Sequence, residues 1–302
     1  MQTPRKHHFI PQFWTKNWAG NDGMAQRYTS PFPGVIASHR KHPAAIGWEE
    51  RLYDFPAMDK KTLDFETLLF KRIDQHASDL FTKLKNSPNP ILSKRETETL
   101  AVFLLTLMHR SPAGIAAMRQ LSKMLFEEVR AEIRDTYNTT RSEIEPLTVE
   151  DYEAQQGPDA YLDHFSNIFR SVVFSEKIAA FLANLHWKRV KLEAPDRRLL
   201  LSDDPLIRTN GLAGPEGHVA FPLSPKFAII GCNQSQYFDK IFSQSPRILI
   251  GKFNEQTVQS ARHFVVGVDE QQDRFVRNRF GKSQRPTLSE QSLNDRTNGN
   301  SF

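Results

Sequence analysis

The sequence predicts an α+β fold, and three observations carry the prediction. Between about Leu63 and Leu185, apolar residues recur at spacings of three and four, the period of helices with one buried face. From Trp187 onward that period gives way to short β-type runs separated by Pro, Gly and Asn. Strands and helices do not alternate as βαβ units. A mainly antiparallel sheet is therefore expected, built from the N-terminal and C-terminal thirds, with a block of about four helices packed on it. Residues 1–281 read as a single α+β domain and 282–302 as a disordered polar tail.

The elements follow in order. An extended start through His7 and His8 leads to a short helix opened by Pro11, then to a turn at Gly20-Asn21-Asp22-Gly23. Strands are expected at Met24–Thr29 and Val35–Ser38. Phe65, Leu68, Leu69, Ile73, His76, Leu80, Phe81 and Leu84 then mark an amphipathic helix ending near Asn86, with His76 on its apolar face. Pro88 and Pro90 make a turn, and Ser93-Lys94-Arg95-Glu96 is a capping box that starts the next helix. Leu100 to Met108 is nearly all apolar, so that helix should be central and buried on several sides, and Ser111-Pro112 breaks it. A third helix is expected over Ala113–Tyr137, a polar surface excursion over Asn138–Gly157, and a fourth helix over Asp159–Leu185. Strands are expected around Trp187–Leu192 and at Arg198–Ser202, Val219–Leu223, Phe227–Gly231 and Arg247–Gly251. The two prolines of Phe221-Pro222-Leu223-Ser224-Pro225 suit an edge strand or a strand end. A helix over Asn254–His263 and a strand over Phe264–Val268 close the domain.

Composition narrows the function. The 302 residues are 39% hydrophobic and 25% charged, which supports a sizeable core and excludes a disordered chain. The lone Cys232 excludes an internal disulfide and a four-thiolate zinc site, and suits a reducing compartment. No apolar run reaches the roughly eighteen residues of a membrane span, and none of signal-peptide length follows the N-terminus. A soluble, cytoplasmic protein without a membrane partner is expected.

The net charge of +5 is unevenly placed. Residues 1–42 hold six Lys/Arg against one acid, residues 274–302 hold six against two, and the stretch between holds 28 against 32. Basic ends on a slightly acidic body could guide an anionic polymer such as nucleic acid, or a small anionic substrate. In Arg274-Phe275-Val276-Arg277-Asn278-Arg279-Phe280, base and aromatic interleave as in single-strand binders, a pattern equally suited to an edge strand with solvated arginines.

The residues that could carry chemistry are His8, Gln12, Glu50, Glu66, Arg110 and Asp203. His7 and His8 are adjacent, so on an extended segment only one of them faces a common site. His8 and Gln12 converge if Pro11 starts a turn of helix. Imidazole at His8 with carboxylates at Glu50 and Asp203 forms a nitrogen/oxygen donor set suited to a divalent metal, whether Mg, Mn or Zn; His8 alone titrates near neutrality, as acid–base chemistry requires. Ser202-Asp203-Asp204-Pro205 ends a buried-type strand, where one acid faces inward and the other caps the turn. Arg110 closes a nearly all-apolar helix, so its guanidinium needs a carboxylate such as Glu66 or Asp203, or an anionic ligand.

The order of these residues resembles the bacterial proteins grouped as domain of unknown function 4238. The resemblance rests on His7-His8-Phe9-Ile10-Pro11-Gln12-Phe13, on Glu49-Glu50 before Tyr53-Asp54, on Glu66, and on Arg110-Ser111-Pro112. It continues through Trp187, Ser202-Asp203-Asp204-Pro205, Phe221-Pro222-Leu223-Ser224-Pro225, and the segment from Asn254 through Arg262 and Phe264. The family more often has Asn where this chain has Asp204. The resemblance spans about residues 5–267 and implies that the polar residues singled out form a common set.

Two functions fit these observations. One is a metal-assisted phosphodiesterase or nuclease, with His8, Glu50 and Asp203 as ligands or acid–base groups, Gln12 orienting the substrate and Arg110 stabilising a phosphoryl oxygen. The other is a non-catalytic interaction or regulatory module, in a defence system for example, with a buried network of Arg110, Glu66 and Asp203.

Overall fold

The computed structural model describes residues 6–53, 70–156, 160–209 and 211–298. Its helices and antiparallel sheets make an α+β fold. Strand β1 (Lys6–His8) leads into the short helix α1 (Gln12–Thr15), followed by the hairpin β2 (Ala25–Phe32) and β3 (Val35–Lys41), then β4 (Trp48–Glu50). β1 and β4 pair antiparallel, placing Lys6 opposite Glu50, His7 opposite Glu49 and His8 opposite Trp48. Gly47 makes that pairing possible. At φ 73° it sits in the left-handed region, its carbonyl accepts from the Phe9 and Ile10 amides, and an added Cβ would lie 2.8 Å from the Ile10 Cβ.

The helical block begins, among the described residues, with α2 (Lys71–Asn86), α3 (Lys94–His109) and α4 (Pro112–Thr140). The capping box forms as expected: Ser93 Oγ accepts from the Glu96 amide and Glu96 reaches back to the Ser93 amide. Ser111 caps α4, with Pro112 in its first turn. α3 is the central helix, its Leu100, Ala101, Phe103, Leu104 and Leu105 fully buried.

The block contains more helices than about four. The polar excursion carries α5 (Val149–Gln156), capped by Thr148, whose hydroxyl accepts from the Asp151 amide. The expected fourth helix is two, α6 (Ala160–Val173) and α7 (Glu176–Ala183). Ser175 leaves the helical conformation between them, at φ −56° and ψ 104°.

The second half forms β5 (His186–Lys191), β6 (Leu201–Ser202), β7 (Ile207–Arg208), β8 (His218–Ser224) and β9 (Phe227–Cys232), then α8 (Tyr237–Phe242), α9 (Pro246–Ser260) and β10 (Val265–Gly267). One four-stranded sheet, β3–β2–β10–β6, joins the two ends of the chain. The other, β5–β9–β8–β7, comes from the second half alone. Pro222 lies in β8, between two neighbours rather than at an edge. It is tolerated because β7 pairs only with Val219 and Ala220, and because the register with β9 shifts between Pro222 and Ser224.

Three further expectations are corrected. Arg247–Gly251 is helical, not a strand: Ser245 caps the Ile248 amide and Pro246 occupies the first turn, so the start signal overrides the β-type run. Arg274–Phe280 is no strand either, since Asp273–Arg277 form the short helix α10. The tail expected to be disordered carries α11 (Leu288–Thr297), started by a Thr287/Glu290 capping box. Leu288 and Leu293 hold it on the main core, and Arg262 pairs with Glu290 at 2.8 Å.

Aromatic rings join the layers. Trp14 of α1 meets Phe81 of α2 edge-on with centroids 5.4 Å apart and Phe221 of β8 at 5.7 Å, while Phe103 of α3 meets Phe81 at 5.4 Å. The leading segment is also stapled by hydrogen bonds. Trp14 Nε1 donates to the Pro222 carbonyl and Trp18 Nε1 to the Leu199 carbonyl, both at 2.8 Å. The backbone bearing His8 and Gln12 is thereby fixed to both the helices and the sheets.

Candidate functional site

The alternation of β1 separates its two histidines. His7 is fully buried, stacks on Tyr53 at 5.2 Å and 12°, and its Nδ1 accepts from the Tyr53 amide at 3.0 Å. His8 lies on the other side and lines an open cleft of about 390 Å³ with Gln12, Tyr53, Phe70, Lys71 and Asp74. Pro11 turns the chain into α1, which brings Gln12 to the same cleft.

Arg110 stands behind the cleft. It is fully buried at the end of α3, and its Nη1 donates to Asp74 Oδ1 at 2.8 Å. Its guanidinium carbon lies 5.7 Å from the Phe70 ring centre and 5.5 Å from that of Phe103. Nε and Nη2 have no hydrogen-bond partner among the described residues. The Tyr53 hydroxyl donates to the Arg110 carbonyl at 3.1 Å, so the residue stacked on His7 also ties the end of α3. Burial pushes the Asp74 carboxyl above the ordinary carboxylate range, while the charge and hydrogen bond of Arg110 and the charge of His8 pull it back.

Asp203 is elsewhere. Its Oδ1 accepts from the amides of Arg262 and Phe264 at 3.1 and 3.0 Å, and its Oδ2 from those of Arg262 and His263, both at 3.1 Å. It belongs to a small cavity of about 30 Å³, room for one water, that shares no lining residue with the His8 cleft. The carboxylate fixes the turn from α9 into β10. Burial pushes its carboxyl up, against those amides. Glu50 lies on β4 opposite Lys6, exposed, and does not line the cleft. Glu66 lies outside the described residues.

The expected convergence is therefore corrected. His8 and Gln12 share one cleft with Arg110 behind it, whereas Glu50 and Asp203 are not brought to it. Nor do His8, Glu50 and Asp203 form a common metal set; among the described residues no three His, Cys, Asp or Glu are grouped to hold an ion. The carboxylate on Arg110 is Asp74 instead of Asp203. Its signal is in the sequence: Asp74, Ala77 and Phe81 follow helical spacing, which puts an acid at the end of a buried stripe, where a buried arginine can meet it. His76, expected in the core, is exposed.

A second polar group lies under α11. His109 is buried and its Nδ1 is 3.0 Å from Ser289 Oγ. Burial, aided by the charge of Arg208, pushes its pKa down to about 4. The folded state thus keeps His109 neutral where the unfolded chain, near 6.5, binds a proton. Its contribution is whole above pH 6.5 and is lost as pH falls toward 4, by up to about 3 kcal/mol. Melting temperature measured from pH 7.5 down to 4.5 should fall more steeply for the parent than for His109→Gln.

These features define an α+β protein with a polar cleft lined by the half-buried imidazole of His8, the carboxylate of Asp74 and the ammonium of Lys71. The model of a family described as a protein of unknown function, DUF4238, matches residues 6–271, and the chain belongs to that family. Neither the curated proteins nor the solved structures compared with it include a match. Among the described residues, no single helix is long and apolar enough to cross a membrane.

Proposed function

We propose that the protein is a hydrolase that cleaves phosphodiester bonds in the His8 cleft. His8 takes the proton from the attacking water as its oxygen bonds to phosphorus and the P–O ester bond breaks; the charge of Asp74 stabilises the imidazolium that forms, and the leaving alkoxide takes a proton from solvent. Lys71 and Gln12 hold the phosphoryl oxygens, and Arg110 is a positioning residue that fixes Asp74. The observation that carries this reading is the pinning of a cleft carboxylate by a fully buried guanidinium, in a cleft whose lining includes the His8 imidazole.

Purified protein is expected to cleave bis(p-nitrophenyl) phosphate or a labelled oligonucleotide in at least one of Mg²⁺, Mn²⁺, Zn²⁺ or chelator, and Lys71→Ala to raise KM more than it lowers kcat. Intact substrates under all four conditions would overturn the proposal. The complete burial of Arg110 favours a second reading, a non-catalytic interaction module in which Arg110 and Asp74 only support the fold. Loss of stability without any parent activity to lose is the outcome that selects it.

A further inference from the structure

We propose that a second concave surface, lined by Arg197, Arg274, Phe275, Asn278 and Arg279, binds the phosphates of a single-stranded nucleic acid. The surface encloses about 330 Å³, and half of its lining, from Gln272 to Arg279 in the basic C-terminal end, lies beyond the residues matched by the family. Here the interleaved segment is sorted by its fold. Phe275, Val276 and Phe280 turn into a core cluster with Tyr28, Leu200 and Val258, which leaves arginines on the outside. Arg277 is spent on Asp273 at 2.6 Å. Arg274 is exposed, and its guanidinium has no hydrogen bond or ion pair among the described residues.

The lining holds three arginines against one carboxylate, Asp196. That carboxylate is already held by Arg197 at 2.8 Å and by Arg247 at 2.9 Å, which keep its pKa down to about 2. Arg279 also faces Glu255 at 3.8 Å, so the uncompensated charge is that of Arg274, and the forked donors of arginine match phosphate oxygens. Arg279 lies over the Phe275 ring at 4.3 Å and remains 36% exposed, so the stacked pair offers a flat face to an unpaired base. A paired base in a duplex cannot present its face there, which favours a single strand. The inference goes beyond the hydrolytic reading, because binding is measured without turnover.

The test is fluorescence anisotropy of full-length protein with a labelled oligothymidylate of about 20 nucleotides, at about 50 to 200 mM NaCl. Saturable binding is expected, weakened at least about tenfold in Arg274→Glu. Arg274→Ala with Arg279→Ala should lower the salt slope by about 1.4. His8→Gln should bind as the parent does, so failure of the hydrolytic proposal leaves this result distinct. Melting curves of each variant confirm folding; Arg274, with no partner to lose, should leave them unchanged. Absence of saturable binding by the parent at the lowest salt, binding by Arg274→Glu equal to the parent's, or equal affinity for a duplex of the same length would overturn the proposal.

Discussion

Arg110→Ala should lower stability by about 3–5 kcal/mol, because it breaks an ion pair made by a fully buried guanidinium and empties a large site between two aromatic rings. The pair itself is not the whole cost. Asp74 keeps 23% of its side chain exposed and can recover water, so the lost packing against Phe70 and Phe103 weighs more. Arg110→Met separates these contributions. A methionine fills much of the space and removes a buried charge, so its cost should be much smaller, about 1–2 kcal/mol. If Arg110 also positions Asp74 for chemistry, the methionine variant will melt near the parent temperature yet turn over more slowly. Denaturant titration with parallel rate measurement gives both quantities.

Asp203→Ala should cost about 3 kcal/mol, since three backbone amides lose their acceptor, that of Phe264 in the interior and those of Arg262 and His263 partly buried. Asp203→Asn should lose about 2 kcal/mol, because its carbonyl oxygen can still accept while its amide nitrogen faces N–H donors. Neither substitution removes a group from the His8 cleft. The rate per folded molecule should therefore stay at the parent value when measured well below the melting temperature. A selective loss of kcat in fully folded Asp203→Asn protein would contradict this placement.

These two residues show how far the sequence could be read. The α+β class, the capping box at Ser93, the break at Ser111-Pro112 and the buried core of α3 follow from local spacing and capping chemistry, and the fold contains them. The need of Arg110 for a carboxylate was equally legible, because a guanidinium at the end of an apolar helix must be compensated. Helical spacing makes Asp74 a candidate, but which of the candidate carboxylates supplies it was not legible. That depends on how α2 is rotated against α3, a property of packing between distant segments that no local pattern encodes.

Asp203 illustrates the opposite difficulty. An acid at the end of a buried strand has the same sequence signature whether it faces a substrate or ties a turn. Only the arrival of the Arg262–Phe264 backbone decides between them. The strand expected at Arg247–Gly251 and the disordered tail were misread because composition outweighed start signals. Ser245-Pro246 and the Thr287/Glu290 box each begin a helix that packs on a core.

The hydrolytic account rests on the imidazole of His8, and the rate of phosphodiester cleavage by His8→Gln tests it most directly. The half-buried side chain lies at the cleft, so the substitution should leave the melting temperature near that of the parent. The account expects the rate under saturating substrate to fall at least about a hundredfold, the usual worth of a general acid–base group. A folded His8→Gln protein that cleaves at the parent rate would contradict it.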